Sequence, residues 1–191
     1  MRKFYLLAAA AVMASTANAD WTLDNSGSQL AFVSTKAMDV AEVHTFTELS
    51  GSVGEDGHAR VVIQLASVNT LIPIRDERMR EMLFQTALFP TATVDARLDI
   101  ARLLQMAVST SEVLTTEILL TVGEAQLPLT AELLITRIAP ERVLVATLKP
   151  VIVNAGALAL ADGVEALREI AGLPSISKAV PVTFVLQFVA G

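Results

Sequence analysis

The sequence contains no cysteine. That excludes disulfide staples, thiolate metal sites, a thiol nucleophile, covalent haem attachment and a lipid-modified N-terminal cysteine. Histidine is nearly absent as well, with only His44 and His58 in 191 residues. One histidine with a carboxylate, such as His44 with Glu42, is a poor metal ligand set, so no metal or other cofactor is expected. A Ser-His-Asp triad would have to recruit one of these two histidines, and no Gly-x-Ser-x-Gly elbow is present. Ser52, between Gly51 and Val53, reads as a strand residue. A basic stripe that could follow nucleic acid is missing. Beyond the first segment, no uninterrupted apolar stretch reaches the roughly 20 residues of a membrane span. Aromatic residues make up only 5% of the chain.

What is present begins with an export signal. Arg2 and Lys3 precede a short apolar run from Phe4 to Met13, and Ala17-Asn18-Ala19 offers small residues to a signal peptidase. This three-part layout predicts cleavage after Ala19, leaving one domain over residues 20–191. Loss of Arg2 and Lys3 lowers the basic residues from 14 to 12 against 20 acidic ones, a net charge of −8. An acidic chain gains nothing from an anionic membrane surface or a nucleic acid.

The apolar fraction is 53%, and it is aliphatic rather than aromatic. It suits either a generous core or an apolar cavity that needs lining. The dominant period is two. Ala92, Val94, Ala96, Leu98 and Ile100 alternate with Thr93, Asp95, Arg97 and Asp99. Ala59, Val61, Ile63 and Leu65 share one face, as do Leu114, Ile118, Leu120 and Val122. Leu127 to Ile135 and Val180 to Phe188 repeat the pattern, with weaker strands at Trp21–Asp24, Gln29–Lys36, Glu42–Val53 and Val143–Lys149. Turn signals at Asn25-Ser26-Gly27, Asp56-Gly57, Gly123-Glu124 and Ala139-Pro140-Glu141 separate them. Many antiparallel strands on short turns predict a sandwich or a barrel. Trp21 is placed to pin the first strand.

Two short helices interrupt the strands. Arg75 to Phe84 carries Met79, Met82 and Leu83 on one side and charges around the rest. In the second, Asp162 and Glu165 have capping-box spacing, Val164, Leu167 and Ile170 recur at helical spacing, and Gly172 with Pro174 ends the run. Each helix has one apolar stripe, suited to covering a barrel's mouth or flank.

The stretch from Val68, VNTLIPIRDERMREMLFQTALFPTATVDARL, resembles the YceI-like family of exported proteins. Arg75, Asp76, Met79, Leu83, Phe84, Phe89 and Pro90 stand in its pattern, and Trp21, Asp24, Ser28, Leu30 and Phe32 fit its opening. The C-terminal VNAGALALADGVEALREIAGLPSISKAVPVTFVLQF is similar to one branch of it. There are departures. Arg78 stands where many members have histidine, and Lys149-Pro150 with Asn154-Ala155-Gly156 replaces an Arg-x-Asp-Phe-Gly element. The resemblance implies a lipocalin-like, eight-stranded antiparallel β-barrel in the bacterial periplasm, and it leaves room for a homodimer. It implies binding of an isoprenoid lipid, a polyprenyl phosphate or a quinone tail, without chemistry.

On that fold the lumen candidates are Phe32, Val61, Ile63, Leu65, Val94, Leu98, Ile118, Leu120, Leu133, Ile135, Phe184 and Leu186, with Met79, Met82, Leu83, Phe84 and Phe89 from the helical segment. Ala59, Ala92, Ala96 and Ala131 would leave room among them. Met79 and Met82 either form an adaptable wall against a ligand or simply seat the helix. Arg75, Arg78 and Arg80 are candidates for a head group; the competing reading pairs them on the surface with Asp76, Glu77 and Glu81. His44, sharing a mostly polar face with Glu42 and Glu48, is expected to point outward, and His58 to face solvent. The alternative to a lipid carrier is an envelope stress or interaction module with a filled barrel. A hydrolase or isomerase is disfavoured, since the usual nucleophile and base pairings are missing.

Overall fold

The structure, a computed structural model, describes residues 20–191; the expected signal segment and its cleavage site lie outside the described residues. The alternating segments pair in chain order. They are β1 (Trp21–Lys36), β2 (Val40–Phe46), β3 (Leu49–Val53), β4 (His58–Gln64), the two-residue β5 (Val68–Asn69), β6 (Thr91–Arg97), β7 (Thr110–Val122), β8 (Ala125–Ala139), β9 (Arg142–Thr147), β10 (Val151–Asn154) and β11 (Ala179–Ala190). All pairings are antiparallel, and β11 returns to pair with β1, Trp21 facing Ala190 and Phe32 facing Val182. The sheet therefore closes on itself, as an eight-stave up-and-down barrel. Closure leaves no open edge in the ring.

Eleven segments make eight staves because two staves are broken and the two-residue β5 only extends the edge of β2. The first half of β1 pairs with β3 and the second half with β2. Likewise β11 pairs with β10 along its first half and with β9 along its second. At one end of the barrel, therefore, β2 and β10 lean away from the staves beyond them. Helical segments fill the two gaps. One is α1 (Pro73–Arg78), with proline in its first turn, followed by a wide π-type turn over Met79–Leu83. The other is a 3-10 turn at Ala155–Leu158 leading into α3 (Ala161–Ile170). The two meet where α3 crosses the wide turn. There Gly163 lies so close that a Cβ would stand 2.8 Å from both the Leu83 Cα and the Met82 carbonyl oxygen. The opposite end is covered by α2 (Ile100–Leu104), started by Asp99, whose carboxylate accepts from the Arg102 N–H.

Several local expectations are corrected. Asn25-Ser26-Gly27 does not end a strand: β1 runs through it as a bulge, with the register shifting between Asp24 and Gln29. Asp24 accepts from the Ser26 N–H and hydroxyl, and Asn25 bonds the backbone of Thr47 and Leu49, so turn residues are used to bend a strand. The expected strand Glu42–Val53 is interrupted at Thr47 and Glu48. No side chain caps α3; Asp162 sits inside its first turn, and Glu165 pairs with Arg168 instead. The short α2 starts at Ile100, where the alternating pattern predicts the end of a strand. Among the described residues no helix is long and apolar enough to cross a membrane.

The inward faces form one main apolar cluster and a small satellite. Trp21, Val53 and Phe188 line the α2 end, and Trp21 pins β1 between Ala190 and Val53.

Candidate functional site

The lumen is not filled. A chamber of about 430 Å³ lies under the helical lid, and a smaller one of about 120 Å³ lies toward α2. Leu30, Val94, Ile118 and Phe184 border both, forming a waist between them. The two chambers line up along the barrel axis, since each stave contributes successive inward residues. On β6, Ala92 faces the large chamber, Val94 the waist and Ala96 the small one, which Leu98, just past the strand, also lines. A volume of this size falls within the range of small-molecule sites.

The wall is assembled largely from the residues singled out by alternation. Phe32, Ile63, Leu65, Met79, Leu83, Phe84 and Leu120 line the large chamber. Val61, Leu98, Leu133, Ile135 and Leu186 line the small one. Ala59 joins Ala96 at the small chamber, whereas Ala131 is buried in a satellite cluster with Leu133 and Val151. Met82 and Phe89 do not line either chamber. The wide turn bonds the Phe84 N–H to the Met79 carbonyl, five residues apart, so Met79 and Phe84 align and Met82 is rotated off the inner face. Phe89 instead lays its ring over Gly123 at the β7–β8 turn.

The polar side of the large chamber differs most from expectation. His44 points inward and is 3% exposed. Its cross-strand partner is Phe32, and Phe46 opposes Leu30, so the face that looked polar in sequence is the lumen face near the mouth. The Phe32 and His44 rings meet edge to face at 5.3 Å. Nε2 of His44 lies 2.8 Å from the Ser34 hydroxyl, while its buried Nδ1 has no partner among the described residues. Burial, reinforced by the positive charge of Arg75, holds the His44 pKa below its usual value, so the ring is kept neutral. A serine hydrolase orients its histidine through an Nδ1–carboxylate bond. That third member is missing from the Ser34–His44 pair. His58 sits outward on β4, with Nε2 at 2.9 Å from Asp95.

Glu42 organises the cations. It accepts from Lys36 at 2.8 Å and from Arg75 at 2.7 Å. The Lys36 hydrogen bond, with the charge of Arg75, holds its carboxyl below the ordinary carboxylate range. Arg75 also donates to the Thr70 carbonyl oxygen at 2.7 Å. The expected surface pairing of the arginines with Asp76, Glu77 and Glu81 does not form. Asp76 is buried and accepts from the Thr70 N–H and hydroxyl, fixing the entry to α1. Arg80 is tied to the Ala66 and Val68 carbonyl oxygens, away from the chamber, which removes it from the head-group candidates. Arg78 lines the chamber and makes no hydrogen bond or ion pair with the described residues. Lys36 and Arg75 thus flank one carboxylate and Arg78 lines the same chamber, in a chain whose acidic residues outnumber its basic ones. Ser34, Lys36, Glu42 and His44 also line this chamber and lie outside the set that alternation predicts. Their signal was parity with Phe32 along the β1–β2 hairpin.

A closed barrel with an apolar axial tunnel and one polar, lidded mouth has the architecture of a lipocalin-like binding protein. The sequence profile of the YceI-like domain matches residues 21–188, and the chain belongs to that family. A polyisoprenoid binding domain from Saccharophagus degradans, implicated in plant cell wall breakdown, shares 37% identity with it. That structure superposes with a TM-score of 0.87, covering 90% of this chain and 98% of the other. BcnA from Burkholderia cenocepacia has the same fold at 17% identity, with a TM-score of 0.67 over 86% of this chain and 98% of its own. No curated protein matches the sequence.

Proposed function

We propose that this protein is an exported, periplasmic carrier or store for one long-chain isoprenoid lipid, working by binding and without chemistry. The observation that carries the reading is the apolar lumen left open under the lid, about 430 Å³ with a further 120 Å³ beyond the waist. A slender branched chain suits such a tunnel, because its wall is aliphatic and asks for no polar geometry. At roughly 25 cal/mol per Å², an isoprenoid tail hiding several hundred Å² gains on the order of 10 kcal/mol before the entropy of association is deducted. The tail lies along the axis, and the head group sits at the polar mouth. Lys36, Arg75 and Arg78 against Glu42 leave two positive charges there, which favours a phosphorylated head over a quinone.

Likeness to the polyisoprenoid binding domain at 37% identity supports the ligand class and a binding role rather than an enzymatic one. The alternative with a filled barrel does not fit the open lumen. The test is native mass spectrometry and lipid extraction of the protein purified from its own kind of cell. An isoprenoid should be recovered at about one per chain. Recovery of no lipid, with no uptake of added prenyl compounds, refutes the proposal.

A further inference from the structure

The mouth of the tunnel carries an exposed apolar rim. At the tip of the β1–β2 hairpin, Met38 is 87% exposed, and in the loop entering α1, Leu71 is 84% exposed. Ile72 and the first residues of α1, Pro73 and Ile74, follow, all exposed, and Ile170 adds to the rim from the end of α3. These segments surround one opening. The hairpin tip bonds Ser175 through the Ala37 and Met38 N–H groups, and Glu42 ties Lys36 to Arg75. Ile72, Ile74 and Ile170 reach inward as well and line the large chamber. Apolar surface therefore runs without a break from the outside of the protein into the tunnel.

Two further features mark the rim. Met38 and Leu71 hold their side chains out from left-handed backbone, φ 75° and 63°, a conformation that large side chains rarely adopt. At Ala37 and Met38 this is the geometry of a tight β-hairpin turn, and it projects the Met38 side chain outward. Lys36, Arg75 and Arg78 gather just inside the same opening, in a protein that is otherwise acidic.

We infer that this rim docks on the surface of a lipid bilayer, where the tunnel is loaded and emptied. The inference rests on the lipid-carrier reading, because a water-insoluble chain needs an apolar path from the membrane to the lumen. Met38, Leu71, Ile72 and Ile74 enter the acyl boundary, and the cations meet phosphate head groups at the depth where such groups lie. A second copy of the chain fits the rim less well. A two-fold interface sets a patch against itself, and would bring these three cations toward the same three on the partner. Asp39 and Glu77 are also exposed at this end. They offset part of the attraction to anionic lipid, so apolar insertion dominates and the preference for anionic vesicles is small.

The test is flotation with vesicles of phosphatidylethanolamine containing a minority of phosphatidylglycerol, using the protein purified from the cell envelope. The comparison is the double variant Met38→Asn, Leu71→Asn, prepared in the same way so that any contribution of residues 1–19 is common to both. Asparagine tolerates left-handed backbone, and both positions are exposed and line neither chamber, so the barrel should keep its unfolding midpoint. Ile170→Ser serves as a second variant on a separate element, read by flotation alone. The wild type should float, and the double variant should partition at least about tenfold more weakly. Uptake of a detergent-dispersed prenyl phosphate should be equal in the wild type and the double variant. The docking inference is overturned if the wild type stays in solution, or if both variants float like it. It is also overturned if the substitutions abolish a solution dimer while leaving vesicle binding intact. Failure of both proteins to take up dispersed prenyl phosphate would sink the isoprenoid reading instead, with docking still judged by flotation.

Discussion

Val94→Phe puts the tunnel itself to the test. Val94 stands at the waist, bordering both chambers, opposite Val61 on β4 and Leu120 on β7. Phenylalanine adds four carbons, which project into empty space. At about 0.8 kcal/mol per buried carbon the added burial comes to about 3 kcal/mol, and strain from overpacking takes back about 1–3 kcal/mol. The empty protein should therefore unfold at or slightly above the wild-type midpoint. A ligand long enough to cross the waist loses the small chamber. Its 120 Å³, at about 24 cal/mol per Å³ of unfilled cavity, corresponds to about 3 kcal/mol, or over a hundredfold in Kd. A prenyl compound short enough to stay under the lid should bind as before. Titration calorimetry with short and long prenyl phosphates separates the two. If the long compound binds Val94→Phe with wild-type affinity, or if both lengths are weakened equally, the axial-tunnel reasoning fails.

The remaining predictions concern the lid and the mouth. Gly163→Val should push α3 off the wide turn, because its side chain would overlap Leu83 and Met82; thermal unfolding should show a loss of about 1–3 kcal/mol, and bound lipid should be released faster. Asp76→Ala leaves the buried Thr70 N–H without an acceptor and should cost about 1–3 kcal/mol in denaturant unfolding. Stability should also depend on pH through His44. Its pKa is lowered in the fold, by burial first and Arg75 next, so the unfolded chain takes up the proton earlier as pH falls. The stability it confers is complete above the ordinary histidine value of 6.5 and declines below it, a decline that His44→Gln should flatten in urea midpoints. Glu42 adds a second loss at lower pH, as its carboxylate is protonated away from Lys36 and Arg75.

Much of the barrel is legible in one dimension. Alternation on β6, β7, β8 and β11 determines which side chains face inward, because successive strand residues point to opposite faces whatever the partner strand is. The lumen wall from Val61 to Leu186 follows from that parity alone. The Asp56-Gly57 and Gly123-Glu124 turns need positive φ at glycine, and both glycines have it. Local rules failed where tertiary partners took over local groups. Asp24 and Asn25 carry turn chemistry, yet closure against β11 and β3 makes them a bulge within β1. Asp162 and Glu165 have capping spacing, yet Arg168 takes Glu165.

Sequence by itself determined that alternating aliphatic strands must bury their dry faces, in a sandwich or a barrel, and parity names the residues inside; the choice of a closed barrel came from the family resemblance. Only the tertiary structure decided that the interior stays open, because a void is a property of how eight inward faces meet and not of any one of them. It also decided that His44, Glu42, Lys36 and Arg75 share one mouth. Their strand face looks polar and therefore solvent-bound until the lid of α1 and α3 encloses it. Glu42, Lys36 and Arg75 pair with one another across β2, β1 and α1, and no spacing along the chain records that.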